Sequence, residues 1–189
     1  MNNLYEQQIA FGSVIDILEA IDASYAIWGG IAVMAFGEPR FTHDMDILLN
    51  GESLLIPQII RRLQESHVYV DTLSVEKAAF QGSFFNVIHQ AYQIKVDLYV
   101  PNEPRLKQMI VERVKLPFDE MRDAHYVSAE SLIIAKMIAF KDSQSTRHID
   151  DIAAVVRVQA KKLDLQKVTQ AAVDLSLFGV WQAILEQNA

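Results

Sequence analysis

Two aspartates one residue apart, Asp44 and Asp46, lead into the apolar run MDILL, and a third, Asp97, interrupts a second apolar run, IKVDLYV. Alternation along a strand puts Thr42, Asp44 and Asp46 on one face and His43, Met45 and Ile47 on the other. The two carboxylates then converge where apolar neighbours leave little water. Like charges at that range must be protonated, hydrogen-bonded or balanced by a cation. With no cysteine in the chain and His43 directed away, the donors are oxygens. Mg²⁺ suits them, because it takes one or two carboxylates together with phosphate oxygens, and Mn²⁺ is the alternative ion. If the strand of Asp97 lies beside that of Asp46, the three acids can surround two metal ions that stabilise the attacking and leaving oxygens of phosphoryl transfer.

Phosphates also need a seat, and Gly29-Gly30 after the apolar run YAIW supplies one. Without Cβ atoms the backbone can approach a ligand closely, and the N–H groups opening the next helix point toward negative charge. Gly-Gly alone is usually a turn, and Asp-x-Asp alone usually an exposed strand end. The ordered set with apolar flanks at all three acids is far more specific.

The remaining charged residues carry open readings. Arg40 fits a phosphate ligand, a counterion for Asp44 or a surface residue equally well. Lys136, the lone charge in LIIAKMIAF, is either a side chain at the rim of the core or a phosphate ligand. Lys95 should share the face of Asp97, where it meets phosphate or moderates the repulsion of the acids. Arg147, His148, Asp150 and Asp151 read as a solvated helix start, with His148 disfavoured as a metal ligand. Phe178 and Trp181 suit either a core or a dimer contact.

The elements that must position these residues follow from periodicity. Apolar spacing predicts a helix over Leu4 to Ala23, a strand at YAIW, a short helix at IAVMAF stopped by Gly37 and Pro39, and a strand at DMDILL. A helix from Ser53 to about Ser66, a strand at HVYV, and a hairpin through SFFNVIHQAYQIKVDLYV come next. A helix over Pro104 to Val114 ends before Pro117, and Ser128 is a good N-cap for a helix running to about Lys141, with further helices beyond. The change of character near Asp123 divides residues 1–122 from an all-helical part, 123–189.

The chain has 189 residues, 51% hydrophobic, enough for one full core. A net charge of -7 argues against a broad grip on nucleic-acid phosphates. The N-terminus MNNLYEQQ lacks signal-peptide features, and no apolar run approaches the ~18 residues of a membrane span, so a cytoplasmic protein without membrane contact is expected.

The set WGG, DMD and VDL, with thirteen residues between Gly30 and Asp44, resembles the nucleotidyltransferase superfamily related to DNA polymerase β. The form GGIAVMAFGEPRFTHDMDI is most similar to its small bacterial branch of antibiotic and toxin-type nucleotidyltransferases. The resemblance implies an α/β (α+β) fold, a short mixed β-sheet nucleotidyltransferase core backed by helices with a helical C-terminal part. It implies that Asp44 and Asp46 hold the metals, that Asp97 helps bind one and activates the acceptor hydroxyl, and that Gly29 and Gly30 cradle the nucleotide triphosphate, with Arg40 a candidate nucleotide ligand from its own place in the sequence. A looser similarity through SAESLIIAKMIAFKDSQSTRHIDDIAAV implies that Lys136 faces nucleotide phosphates.

The expected reaction is Mg²⁺-dependent transfer of a nucleoside monophosphate from an NTP, ATP among them, to an acceptor hydroxyl, releasing pyrophosphate. The acceptor stays open among a small molecule such as an aminoglycoside or lincosamide, a tRNA end and a protein side chain; the acidic balance favours a small or compact one. The rival readings are a hydrolase that uses water and a catalytically silent relative that binds a nucleotide or pairs with a toxin or antitoxin partner. A homodimer is a further expectation.

Overall fold

The computed structural model describes residues 4–51 and 55–188. The chain forms two compact units: residues up to Ile31 together with Thr42–Val127, and Ala32–Phe41 together with the chain from Ser128 onward. The division expected at 122/123 falls at the start of a strand, Asp123–Tyr126, within the first unit.

The first unit is built on a mixed sheet of strands β1 (Tyr25–Trp28), β2 (Met45–Leu49), β3 (Val68–Val70), β4 (Phe84–His89), β5 (Ile94–Tyr99), β6 (Val114–Pro117) and β7 (Asp123–Tyr126). Their order across the sheet is β3-β4-β5-β2-β1-β7-β6. β2 runs parallel to β5 and β1 parallel to β7, while the other neighbours are antiparallel. Strict alternation in β5 buries Ile94, Val96 and Leu98 and leaves Lys95, Asp97 and Tyr99 on the other face. Met45, Ile47 and Leu49 of β2 are buried in the same sense. One sheet face is therefore core, and the other carries the acids.

Helices α1 (Leu4–Ala20), α3 (Ile56–Glu65), α4 (Thr72–Gln81) and α5 (Pro104–Val111) complete this unit. α1 buries Phe11, Val14, Ile15 and Leu18, the three- and four-residue spacing that marks an amphipathic helix. The expected start of the second helix at Ser53 lies outside the described residues. Neither α4 nor the β6–β7 hairpin is expected from periodicity. α4 is set by its cap, Asp71, whose carboxylate accepts the Ser74 N–H at 3.1 Å. Pro117 ends β6, an edge strand, where a missing N–H breaks no ladder bond.

Helix α2 (Gly29–Phe36) carries the chain from the first unit into the second. The second unit adds α6 (Ala129–Ser143), α7 (Arg147–Gln159), α8 (Leu165–Asp174) and α9 (Phe178–Gln187). Ser128 caps α6 as expected, accepting the Ser131 N–H at 3.2 Å. The segment after α2 belongs here because Gly37 lets it lie against the backbone of Ala154 and Val155, where a Cβ would come within 3.0 Å. Glu38 accepts two bonds from Arg157, each 2.7 Å, and the Phe36 carbonyl accepts from Gln159 at 2.9 Å. Trp181 is a core residue rather than a contact surface: it is fully buried, and its indole N–H donates to Thr169 Oγ1 at 2.9 Å. No described helix is long and apolar enough to cross a membrane.

Candidate active site

The registers of four strands align one transverse row of side chains on the open sheet face. Asn86 of β4 stands opposite Asp97 of β5, Asp97 opposite Asp46 of β2, and Asp46 opposite Trp28 of β1. Residues paired this way point to the same face, so the two aspartates are neighbours across strands about 4.8 Å apart. Both are partly exposed, and together with Trp28, Phe84, Tyr99 and Leu106 they line a cleft of about 390 Å³.

Asp44 departs from the expectation of a buried pair. β2 begins at Met45, so Asp44 precedes the strand and is exposed; Thr42 Oγ1 donates to its carbonyl at 3.3 Å. Asp46 and Asp97 are only half-buried. A cation stands beside one of them. Lys95 Nζ meets Asp97 Oδ2 at 2.7 Å, and the other oxygen, Oδ1, accepts from the Asn86 amide at 2.6 Å. The bond to Asp97 and the charges of Asp97, Asp44 and Asp46 hold the Lys95 ammonium above its ordinary pKa, against a smaller opposing effect of burial.

Gly29 joins β1 to α2 with φ +64°, in the left-handed region, and a Cβ there would run into the Asp46 carboxylate. The glycine thus brings the strand-to-helix turn directly against that carboxylate. Helix α2 starts at this turn, so its first backbone N–H groups, which lack partners within the helix, open beside Asp46.

The aromatic side of the cleft is ordered too. Trp28 and Tyr99 stack with centroids 6.3 Å apart and planes 24° from parallel. The Tyr99 hydroxyl donates to Glu103 at 3.3 Å; burial and the Glu103 charge push its pKa up.

Arg40 and Lys136 lie in the second unit, where both meet one carboxylate. Asp151, 3% exposed, receives Arg40 Nε at 2.8 Å and Lys136 Nζ at 2.7 Å. The partner of Arg40 in the structure is thus Asp151 rather than Asp44, and Lys136 shares that counterion. His148 is half-buried in this cluster; burial first, then the charges of Lys136, Arg147 and Arg40, hold its imidazole below the usual range, against Asp151.

Asn86 is the site residue that sequence reasoning missed. Its signal was its place in β4, whose alternation puts it on the face of Phe84 rather than of Phe85 and Val87.

Among the described residues no group of three or more His, Cys, Asp or Glu stands ready to hold a metal ion. Asp46 and Asp97 nevertheless form an oxygen-only pair that one ammonium, Lys95, neutralises only in part, which fits an ion that draws its remaining ligands from phosphate and water.

The profile of a family described as nucleotidyl transferase AbiEii toxin, type IV TA system, matches residues 18–177. No curated protein sequence matches the chain. Among solved structures, the antibiotic-resistance factor ANT(2'')-Ia aligns with a TM-score of 0.62 at 15% identity, covering 99% of this chain and 97% of that one. The lincosamide antibiotic adenylyltransferase LnuA, solved with lincomycin bound, aligns at 0.53 and 14% identity, covering 82% and 98%. An antigenic nucleotidyltransferase-like protein from Paracoccidioides brasiliensis aligns at 0.51 and 16%, covering 94% of each chain. These likenesses establish a shared fold.

Proposed function

The chain belongs to the AbiEii family of nucleotidyl transferases, and from that premise we propose that it moves a nucleoside monophosphate from an NTP to an acceptor hydroxyl with Mg²⁺ and releases pyrophosphate. The observation that carries the reading is the level placement of Asp46 and Asp97 beside the Gly29 turn. Backbone N–H groups at the start of α2 receive the triphosphate, and Asp46, with Asp44 at the strand entrance, holds the metal. Bound Mg²⁺ supplies charge stabilisation at the α-phosphate and at the leaving oxygen.

Asp97 accepts the proton of the acceptor hydroxyl. The freed oxygen lone pair forms the new O–P bond to the α-phosphorus while the α–β P–O bond breaks, and its electrons leave with pyrophosphate. Asn86 and Lys95 keep the Asp97 carboxylate oriented for that step. Arg40 and Lys136 are the further candidate nucleotide ligands. The description of the family as a toxin of a type IV toxin-antitoxin system adds an expectation that the activity is toxic to its host and is opposed by a partner gene product.

Transfer of label from α-labelled NTP in cell extract, with pyrophosphate release, tests the reading. Asp97→Asn should lower the rate by about 10²–10⁴-fold, the usual share of a general base. Asp46→Asn should abolish the Mg²⁺-dependent rise in melting temperature that NTP causes in the wild type. Full activity in Asp46→Asn defeats the assignment, and release of free NMP with no labelled acceptor defeats transfer in favour of hydrolysis.

A further inference from the structure

Helix α4 buries one face and leaves the other without cover. Its Val75 and Ala78 are buried, whereas Leu73 and Phe80 are 74% and 86% exposed. At about 100° per residue, Leu73, Glu76, Lys77 and Phe80 fall within one arc of about 100°, opposite Val75 and Ala78. Single apolar side chains on a surface need no explanation, but a leucine and a phenylalanine two turns apart on one stripe, flanking two charges, form a pattern. Glu76 and Lys77 are exposed, and among the described residues neither has an ion pair within the chain. The charges of α3, which packs beside α4, are taken up by one another: Arg61 and Arg62 both face Glu65.

The order Leu-x-x-Glu-Lys-x-x-Phe is complementary to itself when reversed. Laid antiparallel on a second α4, about a two-fold axis passing between positions 76 and 77, Leu73 meets the partner's Phe80 and Glu76 meets the partner's Lys77. Each contact then recurs on the other side of the axis. A parallel pair would instead set glutamate against glutamate and lysine against lysine, so charge selects the antiparallel arrangement. The helix ends agree with it. The start of α4, capped by Asp71, comes beside the partner's last turn at Gly82, which brings opposite ends of the two helix dipoles together.

We propose that the exposed face of α4 docks a second copy of this chain, antiparallel and two-fold symmetric, through Leu73, Glu76, Lys77 and Phe80. The contact is independent of the transferase reading. A different protein would need apolar and charged groups in matching places, whereas a second copy carries them already. One helix of ten residues covers less than the ~800 Å² per partner of a standard interface, so the dimer is weak and depends on concentration.

Sedimentation velocity on the full chain, loaded from about 1 to about 500 μM, reads the association directly. The wild type should pass from the mass of one chain toward that of two. Phe80→Ser and Leu73→Ser should each weaken association at least about 10-fold, with the melting temperature of the dilute protein unchanged. Glu76→Lys and Lys77→Glu each set like charges against one another across the axis and should weaken it by a similar factor. Mixed in equal amounts, those two variants complement each other and should recover a dimer holding one chain of each kind, identified by a label on one of them. The double variant Glu76→Lys/Lys77→Glu should associate as the wild type does. These charge changes lie on the exposed face, so the test stands however the serine variants fold.

A wild type that keeps the mass of one chain through the whole range overturns the proposal and leaves the face to a different protein. A dimer that forms equally well in Phe80→Ser and Glu76→Lys overturns it too, because it would use another surface. Weakening in both single charge variants that their mixture does not relieve also overturns it, because the helices would then not pair antiparallel in this register.

Discussion

Asn86 donates its amide N–H to Asp97 Oδ1 at 2.6 Å from the adjacent antiparallel strand. Lys95 Nζ holds the other oxygen at 2.7 Å, so each oxygen of the carboxylate has its own donor and its plane is fixed. Asn86→Ala frees one oxygen without opening the core, since Asn86 is exposed. We expect a roughly 10-fold fall in kcat, with stability within about 0.5 kcal/mol of wild type by urea denaturation. Asn86→Asp should cost more, because a second carboxylate then faces Asp97, and its deficit should shrink as pH falls from 8 to 5 and the pair takes up a proton.

Gly29 is the second test of geometry. At φ +64° an L-residue costs about 1–2 kcal/mol, and the added Cβ of Gly29→Ala also displaces the Asp46 carboxylate. Both effects act together. The expected result is a lower denaturation midpoint together with loss of the Mg²⁺-dependent NTP melting shift. An alanine variant that keeps both would show that the close approach of turn and carboxylate has no role in binding.

The alignment of Asp46 with Asp97 was legible in the sequence because each acid sits in a run of alternating or continuous apolar residues, where a charge is conspicuous. The pairing of β2 with β5 was an assumption that the fold makes real. Asp44 was misjudged because its neighbours MDI imply a strand, while the ladder begins one residue later, at Met45. Helix α4 was missed for want of periodicity: only Val75 and Ala78 of TLSVEKAAFQ are buried, and the informative signal was its cap Asp71. The convergence of Arg40 and Lys136 on Asp151 could not be read locally at all, because Arg40 and Asp151 are separated by 111 positions.

That convergence carries its own prediction. Asp151 is 3% exposed and neutralises two cations, Arg40 at 2.8 Å and Lys136 at 2.7 Å. Removing the shared carboxylate leaves both charges without a counterion, whereas removing one cation leaves the other in place. Asp151→Ala should therefore destabilise the protein by about 3–5 kcal/mol, and Lys136→Met by clearly less. Urea denaturation checks the order. If Lys136 also serves nucleotide phosphates, Lys136→Met should lose NTP affinity at a denaturant-free temperature where it remains folded. Equal destabilisation by the two variants would mean that Arg40 contributes nothing to the cluster.

The last prediction concerns acid. His89, His125 and His148 each carry an Nδ1 that is buried and lacks a hydrogen-bond partner. In all three, burial is the leading reason that the pKa lies below the ordinary histidine value; neighbouring cations add to it at His125 and His148, and His67 does at His89. A histidine with a lowered folded pKa is neutral in the native state at a pH where the unfolded chain, near 6.5, already binds a proton. The unfolded state then holds more protons, so stability rises with pH through the window just below about 6.5 and levels off above it. Each histidine contributes a slope of at most about 1.4 kcal/mol per pH unit. Urea midpoints taken between pH 7.5 and 5.2, above the range where ordinary carboxylates titrate, should fall as the pH is lowered. His148→Gln, His89→Gln and His125→Gln should each flatten that fall. A midpoint that holds constant across the window would mean that the three imidazoles are protonated as easily in the folded protein as in the unfolded chain.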